Sequence, residues 1–147
     1  IHRRNRRKHG YRSLNPVQRR RIETEDMVML TPQEVMEAIV RALDSKKARD
    51  ITVLKTEKIT ILANYFVICT AGSTTQIKTL SDETGKMLSE LGEPPLHNEG
   101  YRDGGWVLLD FGCVVVHIFL EDTRKFYDLE RLWSDAEKVD ISALITE

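Results

Sequence analysis

The sequence predicts an α/β fold, a mixed sheet of about five strands with helices packed on it. Two observations carry that prediction. Asn64–Ala71 (NYFVICTA) and Cys113–Leu120 (CVVVHIFL) are apolar at almost every position, the pattern of central strands covered on both faces. Two stretches with apolar residues at helical spacing each begin at a capping box, Thr31-Pro32-Gln33-Glu34 and Ser73-Thr74-Thr75-Gln76. The length of 147 residues suits one domain, and 41% hydrophobic with 31% charged residues is an ordinary globular balance.

Residues 1–28 fall outside this pattern. The first 26 hold 9 Lys and Arg against 3 Asp and Glu, with few aliphatic residues and no sustained period. Such a segment cannot bury enough apolar surface to order itself, so it is expected to be a basic, disordered tail. Its clusters at Arg3–Lys8 and Arg19–Arg21 would allow contact with RNA. Translated upstream sequence or a cloning remnant is the plainer account, since Met27 and Met29 are plausible starts.

The domain is expected over residues 29–140. Its first helix starts at Pro32, carries Val35, Ala38, Ile39, Ala42 and Leu43 on one face, and closes at Lys46 and Lys47. Ile51–Lys55 reads as a strand, Thr56–Ala63 as an excursion, and Asn64–Ala71 as a central strand. Gly72 breaks that strand, and a second helix places Ile77, Leu80, Thr84, Met87, Leu88 and Leu91 on one side before Gly92 stops it. Leu96–Glu99 is a short strand and Asp103-Gly104-Gly105 a turn. Trp106–Phe111 and Cys113–Leu120 form a hairpin bent at Gly112. From Arg124 the period changes to helical, putting Phe126, Leu129 and Trp133 on one, core-facing side. A last helical turn is expected at Ser134–Glu137, and residues 141–147 as a weakly ordered tail.

Charge, length and cysteine use narrow the function. Residues 27–147 carry a net charge of −7, which disfavours a broad phosphate-binding face and suits a basic protein partner. No apolar run approaches the ~20 residues that span a bilayer, and no secretory signal is expected. Cys69 and Cys113 sit in strand-like runs and are expected as buried, reduced thiols of a cytoplasmic protein.

Catalysis finds little support. Gly72-Ser73 at a helix start could hold a phosphate, as in nucleotidyltransferases. That chemistry also needs two closely spaced carboxylates for divalent metal. The chain offers Glu99, Asp103 and a solitary Asp110, with no Asp-x-Asp pair. His97, Glu99 and His117 lack metal-ligand spacing, so no metal or cofactor is expected, and His117 reads as a core histidine bonded to a neighbour. Cys113 lies four residues from His117 along a strand, too far for a nucleophile and its base. The alternative left open is a nucleotide-binding or nucleotidyltransferase-like enzyme remnant.

A recognition surface is better supported. Trp106, flanked by Gly104 and Gly105, enters its strand uncovered, and the strand–strand–helix connection brings Arg124 and Tyr127 beside it. Trp, Tyr and Arg dominate binding hot spots. Phe111 at the turn tip and Glu130 complete the expected contact set.

The runs Lys46–Leu54 (KKARDITVL), Asn64–Ile77 (NYFVICTAGSTTQI), Glu99-Gly100, GGWVLLDFG, VVVHIF and RKFYDLERLW occur in an order and spacing that resemble the ribosomal silencing factor (RsfS, or Iojap-like) family, formerly a domain-of-unknown-function family. The resemblance covers about residues 29–140. It departs where Asn64 and Cys113 stand in positions that often hold Asp. It implies a nucleotidyltransferase-like fold without the catalytic acids, and a translation repressor rather than an enzyme. Such a factor would bind the large ribosomal subunit at its subunit-joining face, through the fourteenth large-subunit ribosomal protein, and block docking of the small subunit. It further implies that Trp106 contacts that protein and that a homodimer can form.

Overall fold

The computed structural model of the chain describes residues 30–100 and 105–146. Helix α1 (Pro32–Ser45) and strand β1 (Arg49–Lys55) lead to β2 (Tyr65–Ala71) and helix α2 (Thr74–Glu90). Then follow β3 (His97–Glu99), β4 (Trp106–Asp110) and β5 (Val114–Leu120). Two short helices, α3 (Glu121–Tyr127) and α4 (Leu129–Leu132), precede β6 (Glu137–Lys138) and a 3-10 turn at Ser142–Leu144. The strands form one sheet in the order β3-β4-β5-β2-β1-β6. Among the described residues only the central β2–β5 pair is parallel, with Tyr65 opposite Val114 and Ala71 opposite Leu120. The other pairs are antiparallel. The two apolar runs of the sequence are therefore the two innermost strands; every residue of β2 is buried.

Strand alternation divides the sheet into two faces. One carries Val53, Val67, Cys69, Val107, Leu109, Val116 and Ile118, all buried, and packs under α1 and α2. Those helices contribute Val35, Ile39, Leu43, Ile77, Leu80 and Leu88, each fully buried. The opposite face carries Leu54, Phe66, Ile68 and Phe119, on which Trp106, Leu129, Trp133 and Ala136 pack. Residues 121–136 thus form a strap over this second face.

Capping explains where the long helix starts and stops. Ser73 Oγ accepts the Gln76 backbone N–H at 3.1 Å. The Gln76 side chain does not close the expected box on Ser73; its Oε1 accepts instead from the Gly72 N–H at 2.6 Å. At the other end Gly92 has φ 82°, and the backbone N–H of Glu93 returns to the Leu88 carbonyl at 2.7 Å.

Three expectations are corrected by tertiary contacts. The helix expected from Arg124 to Trp133 is two helices, because Asp128 takes a left-handed conformation (φ 46°, ψ 56°) between them. The last helical turn at Ser134–Glu137 gives way to β6, whose Glu137 and Lys138 pair with Lys55 and Leu54 and add a sixth strand. Residues 141–146 are held against α1: Leu144 is buried, and Asp44 Oδ2 accepts from the Thr146 N–H and Oγ1 at 2.9 and 2.7 Å. The expected tail at 1–28 and the turn residues Asp103 and Gly104 lie outside the described residues.

Candidate functional site

The strap covers the β1–β2 side of its face and leaves the β4 side open. On β4 the burial alternates: Val107 and Leu109, under the helices, are sealed, while Trp106, Leu108 and Asp110 are half-buried. Between β4 and α3 lies a groove of about 400 Å³ lined by Glu99, Gly100, Gly105, Trp106, Leu108, Thr123 and Tyr127. Trp106 is its aromatic floor. The indole stacks on Phe119, its cross-strand neighbour, with ring centroids 4.9 Å apart and planes 30° apart. Tyr127 closes the other side at 4.6 Å. Gly100 is required at the rim: its φ is +83°, and a Cβ there would overlap the Trp106 carbonyl oxygen.

Beneath Trp106 lies His117, the one polar side chain of β5, which is 6% exposed. The Trp106 Nε1–H donates to His117 Nδ1 at 3.2 Å. Burial alone pulls the imidazole pKa down to about 4, so at neutral pH the ring is uncharged and Nδ1 is an acceptor. This is the core histidine bonded to a neighbour that the strand pattern suggested. Rings continue past it, with Phe66 edge-on to His117 at 5.6 Å and to Trp133 at 5.1 Å. An unbroken aromatic row runs from the groove to the strap.

The expected contact residues separate into two groups. Trp106 and Tyr127 meet in the groove, and Tyr127 is 49% exposed. Phe111 is not a surface contact: it is fully buried, because the turn folds back with the Phe111 N–H on the Val114 carbonyl at 2.9 Å. Gly112, at φ 84°, and its N–H to Asp110 Oδ1 at 2.7 Å turn the chain tip rather than the phenyl ring outward.

Arg124 is turned inward. Its Nε and one terminal nitrogen donate to Glu130 at 3.0 and 3.3 Å. The terminal nitrogens also reach the Asp50 carbonyl at 2.7 Å, Thr70 Oγ1 at 2.9 Å and Thr52 Oγ1 at 3.1 Å. The guanidinium thereby ties α3 to β1, β2 and α4, a use of its planar fork that lysine cannot copy. Asp50 aims its carbonyl there because its backbone is left-handed (φ 50°) at an irregularity of β1. Glu130 reaches back because of the break at Asp128. Phe126, expected in the core, is 79% exposed; the same break rotates it away from Leu129 and Trp133, which do pack.

Sequence reasoning missed Leu108, Gly100 and Thr123 as groove residues. Leu108 was within reach, because two-residue alternation puts it on the Trp106 face. Asp50, Thr52 and Thr70 lie 54 to 74 positions from Arg124 and gave no local sign.

The residues expected for the enzymatic alternative are dispersed. The Gly72 N–H that would meet a phosphate is taken by Gln76. The Asp110 carboxylate closes its own turn, and Glu99 is exposed on edge strand β3. Asp103 lies outside the described residues. Among those residues, no group of three or more His, Cys, Asp or Glu side chains is placed to hold a metal, and no helix is long and apolar enough to cross a membrane. Burial raises the Cys69 thiol to about 12, which removes it from thiolate chemistry.

Residues 29–147 match the family described as ribosomal silencing factor during starvation. The chain is 38% identical over 117 residues to the ribosomal silencing factor of Halalkalibacterium halodurans, covering 80% of this chain and all of that one. It is 32% identical over 102 residues to mouse mitochondrial assembly of ribosomal large subunit protein 1, covering 67% of this chain and 45% of the relative. A crystal structure of a Chromobacterium violaceum protein superposes with a TM-score of 0.70 at 35% identity, covering 77% of this chain and 93% of that one.

Proposed function

This chain belongs to the ribosomal silencing factor family, and we propose that it acts as a cytoplasmic translation repressor by binding the large ribosomal subunit through the groove between β4 and α3. One observation carries this reading: a half-buried Trp106 and a half-exposed Tyr127 face each other across a groove of about 400 Å³ that stands open among the described residues. A rigid, stacked indole beside a phenol has the chemistry of a binding hot spot. The acidic balance of residues 27–147, with Glu99 on the rim, suits a basic partner. The name of the mouse relative refers to assembly of the large subunit.

The partner within that subunit is its fourteenth protein, at the face where the subunits join. A folded domain seated there excludes the small subunit by volume, which requires no reacting group. Tyr127 and Trp106 make the apolar contact. Arg124 and Glu130 hold α3 in place for it, and Phe111 fixes the hairpin from inside. Among the described residues β3 is an edge strand, exposed along all three residues, whose outer backbone groups are available to a second copy, which supports the homodimer.

The test is co-sedimentation with separated subunits, followed by a subunit-joining assay. Trp106→Ala is expected to weaken binding to the large subunit by about 2 kcal/mol or more, roughly thirtyfold, and to restore joining while the circular dichroism spectrum is unchanged. Undiminished sedimentation of the variant would remove the groove from the binding face.

A further inference from the structure

A buried imidazole in a strand that is otherwise wholly apolar needs a reason, because burying a polar ring costs free energy that Val or Leu would not incur. His117 is packed by Phe66 at 5.6 Å and Phe119 at 6.1 Å between ring centroids, and both are apolar. Its Nδ1 accepts from the Trp106 indole at 3.2 Å. Stacking on Phe119 alone leaves an indole free to slide and turn in its plane, since dispersion has little directionality. A hydrogen bond from Nε1 removes that freedom.

We propose that His117 is a positioning residue: through Nδ1 it locks the Trp106 indole in the orientation that lines the groove, and so preorganises the face that meets the partner. The part concerning binding rests on the function proposed above; the part concerning the indole does not. A preorganised anchor loses less rotamer freedom on binding, which is where affinity is gained. The imidazole never touches the partner, because Trp106 lies between it and the groove.

Two variants of similar shape separate the acceptor from the bulk. In His117→Asn the amide oxygen occupies the position of Nδ1 and keeps an acceptor. His117→Leu fills the same position with a methyl group. The chain has two tryptophans, so a nitrogen–proton correlation spectrum of the ¹⁵N-labelled protein has two indole signals, and Trp106→Phe identifies one. In the native chain and in His117→Asn the Trp106 indole proton is expected to be shifted to low field and slow to exchange. In His117→Leu it moves upfield and exchanges faster, and binding to large subunits weakens roughly three- to tenfold, the worth of one hydrogen bond, with His117→Asn within about twofold of native.

An unprotected Trp106 indole in the native chain overturns the proposal without any variant, which covers the case in which His117→Leu fails to fold. Equal binding by His117→Leu and native protein overturns it too, as does loss of binding in His117→Asn equal to that in His117→Leu. If the native chain does not sediment with large subunits, the functional reading fails, and the indole signals still decide whether His117 positions the ring.

Discussion

The two faces of one sheet are finished in different ways. Under α1 and α2, the β4 and β5 side chains Val107, Leu109, Val116 and Ile118 are sealed to 1% exposure or less. On the other side of the same strands, Trp106, Leu108 and Val115 are only half-buried, because the strap turns away toward β1 and β2. Both faces carry large apolar side chains, and the open one adds the polar Asp110 and His117. The difference lies in the covering layer. A sheet face that holds aromatic surface and receives only half a cover is where a soluble domain can meet something else.

That contrast can be broken by mutation, and the largest effect belongs to the sealed face. Ile118→Ala should cost about 2–5 kcal/mol, since a fully buried residue leaves a cavity that helices on a sheet cannot close. Leu108→Ala, on the open side of the neighbouring strand, should cost about 1 kcal/mol or less, because water already reaches it. Urea denaturation of both variants reads the difference, and equal losses would mean that the two faces are packed alike.

The next effect comes from pH. His117 has a folded pKa of about 4 against 6.5 for the free side chain. Between those values the unfolded chain binds the proton and the folded chain does not, so the contribution is complete above pH 6.5 and is lost as pH falls toward 4. Stability should drop by about 3 kcal/mol across that window from this group. His117→Asn should flatten this part of the pH profile in thermal melts; an unchanged slope would show that the ring is hydrated in the folded state.

The smallest effect is at the strap's outer surface. Phe126→Ser should change stability by no more than about 0.5 kcal/mol, because the ring is 79% exposed. A midpoint shift equivalent to more than about 1 kcal/mol would place Phe126 in the core that the helical spacing suggested. The comparison would then need a wider strap.

The central architecture was legible because it is written in local patterns. The nearly all-apolar β2 and β5, the capping serine at 73, the stop at Gly92 and the bend at Gly112 each depend on neighbours a few positions away. Trp106 and Tyr127 were legible as neighbours lining one groove, because an aromatic beside Gly105 at a strand entry stands out from a core pattern and the strand–strand–helix connection returns Tyr127 to it, and Leu108 should have been read from the strand alternation. Phe111 misled because a turn tip is ordinarily solvated, whereas here the ring points back into the domain. Arg124 misled for the opposite reason: its residue type suggests a surface role, and its partners are distant in the chain.

By itself the sequence determined strands β1 to β5, the two long helices, the hairpin and the family, since each is set by spacing and turn chemistry that survive in any context. The tertiary structure alone decided which aromatic rings stay outside. One left-handed residue, Asp128, breaks the last helix, turns Phe126 out and brings Glu130 back to Arg124. Such a break carries little local preference. It persists because the half-buried, fully bonded guanidinium and the packing of Leu129 and Trp133 over-determine it, and those contacts exist only once the sheet has formed.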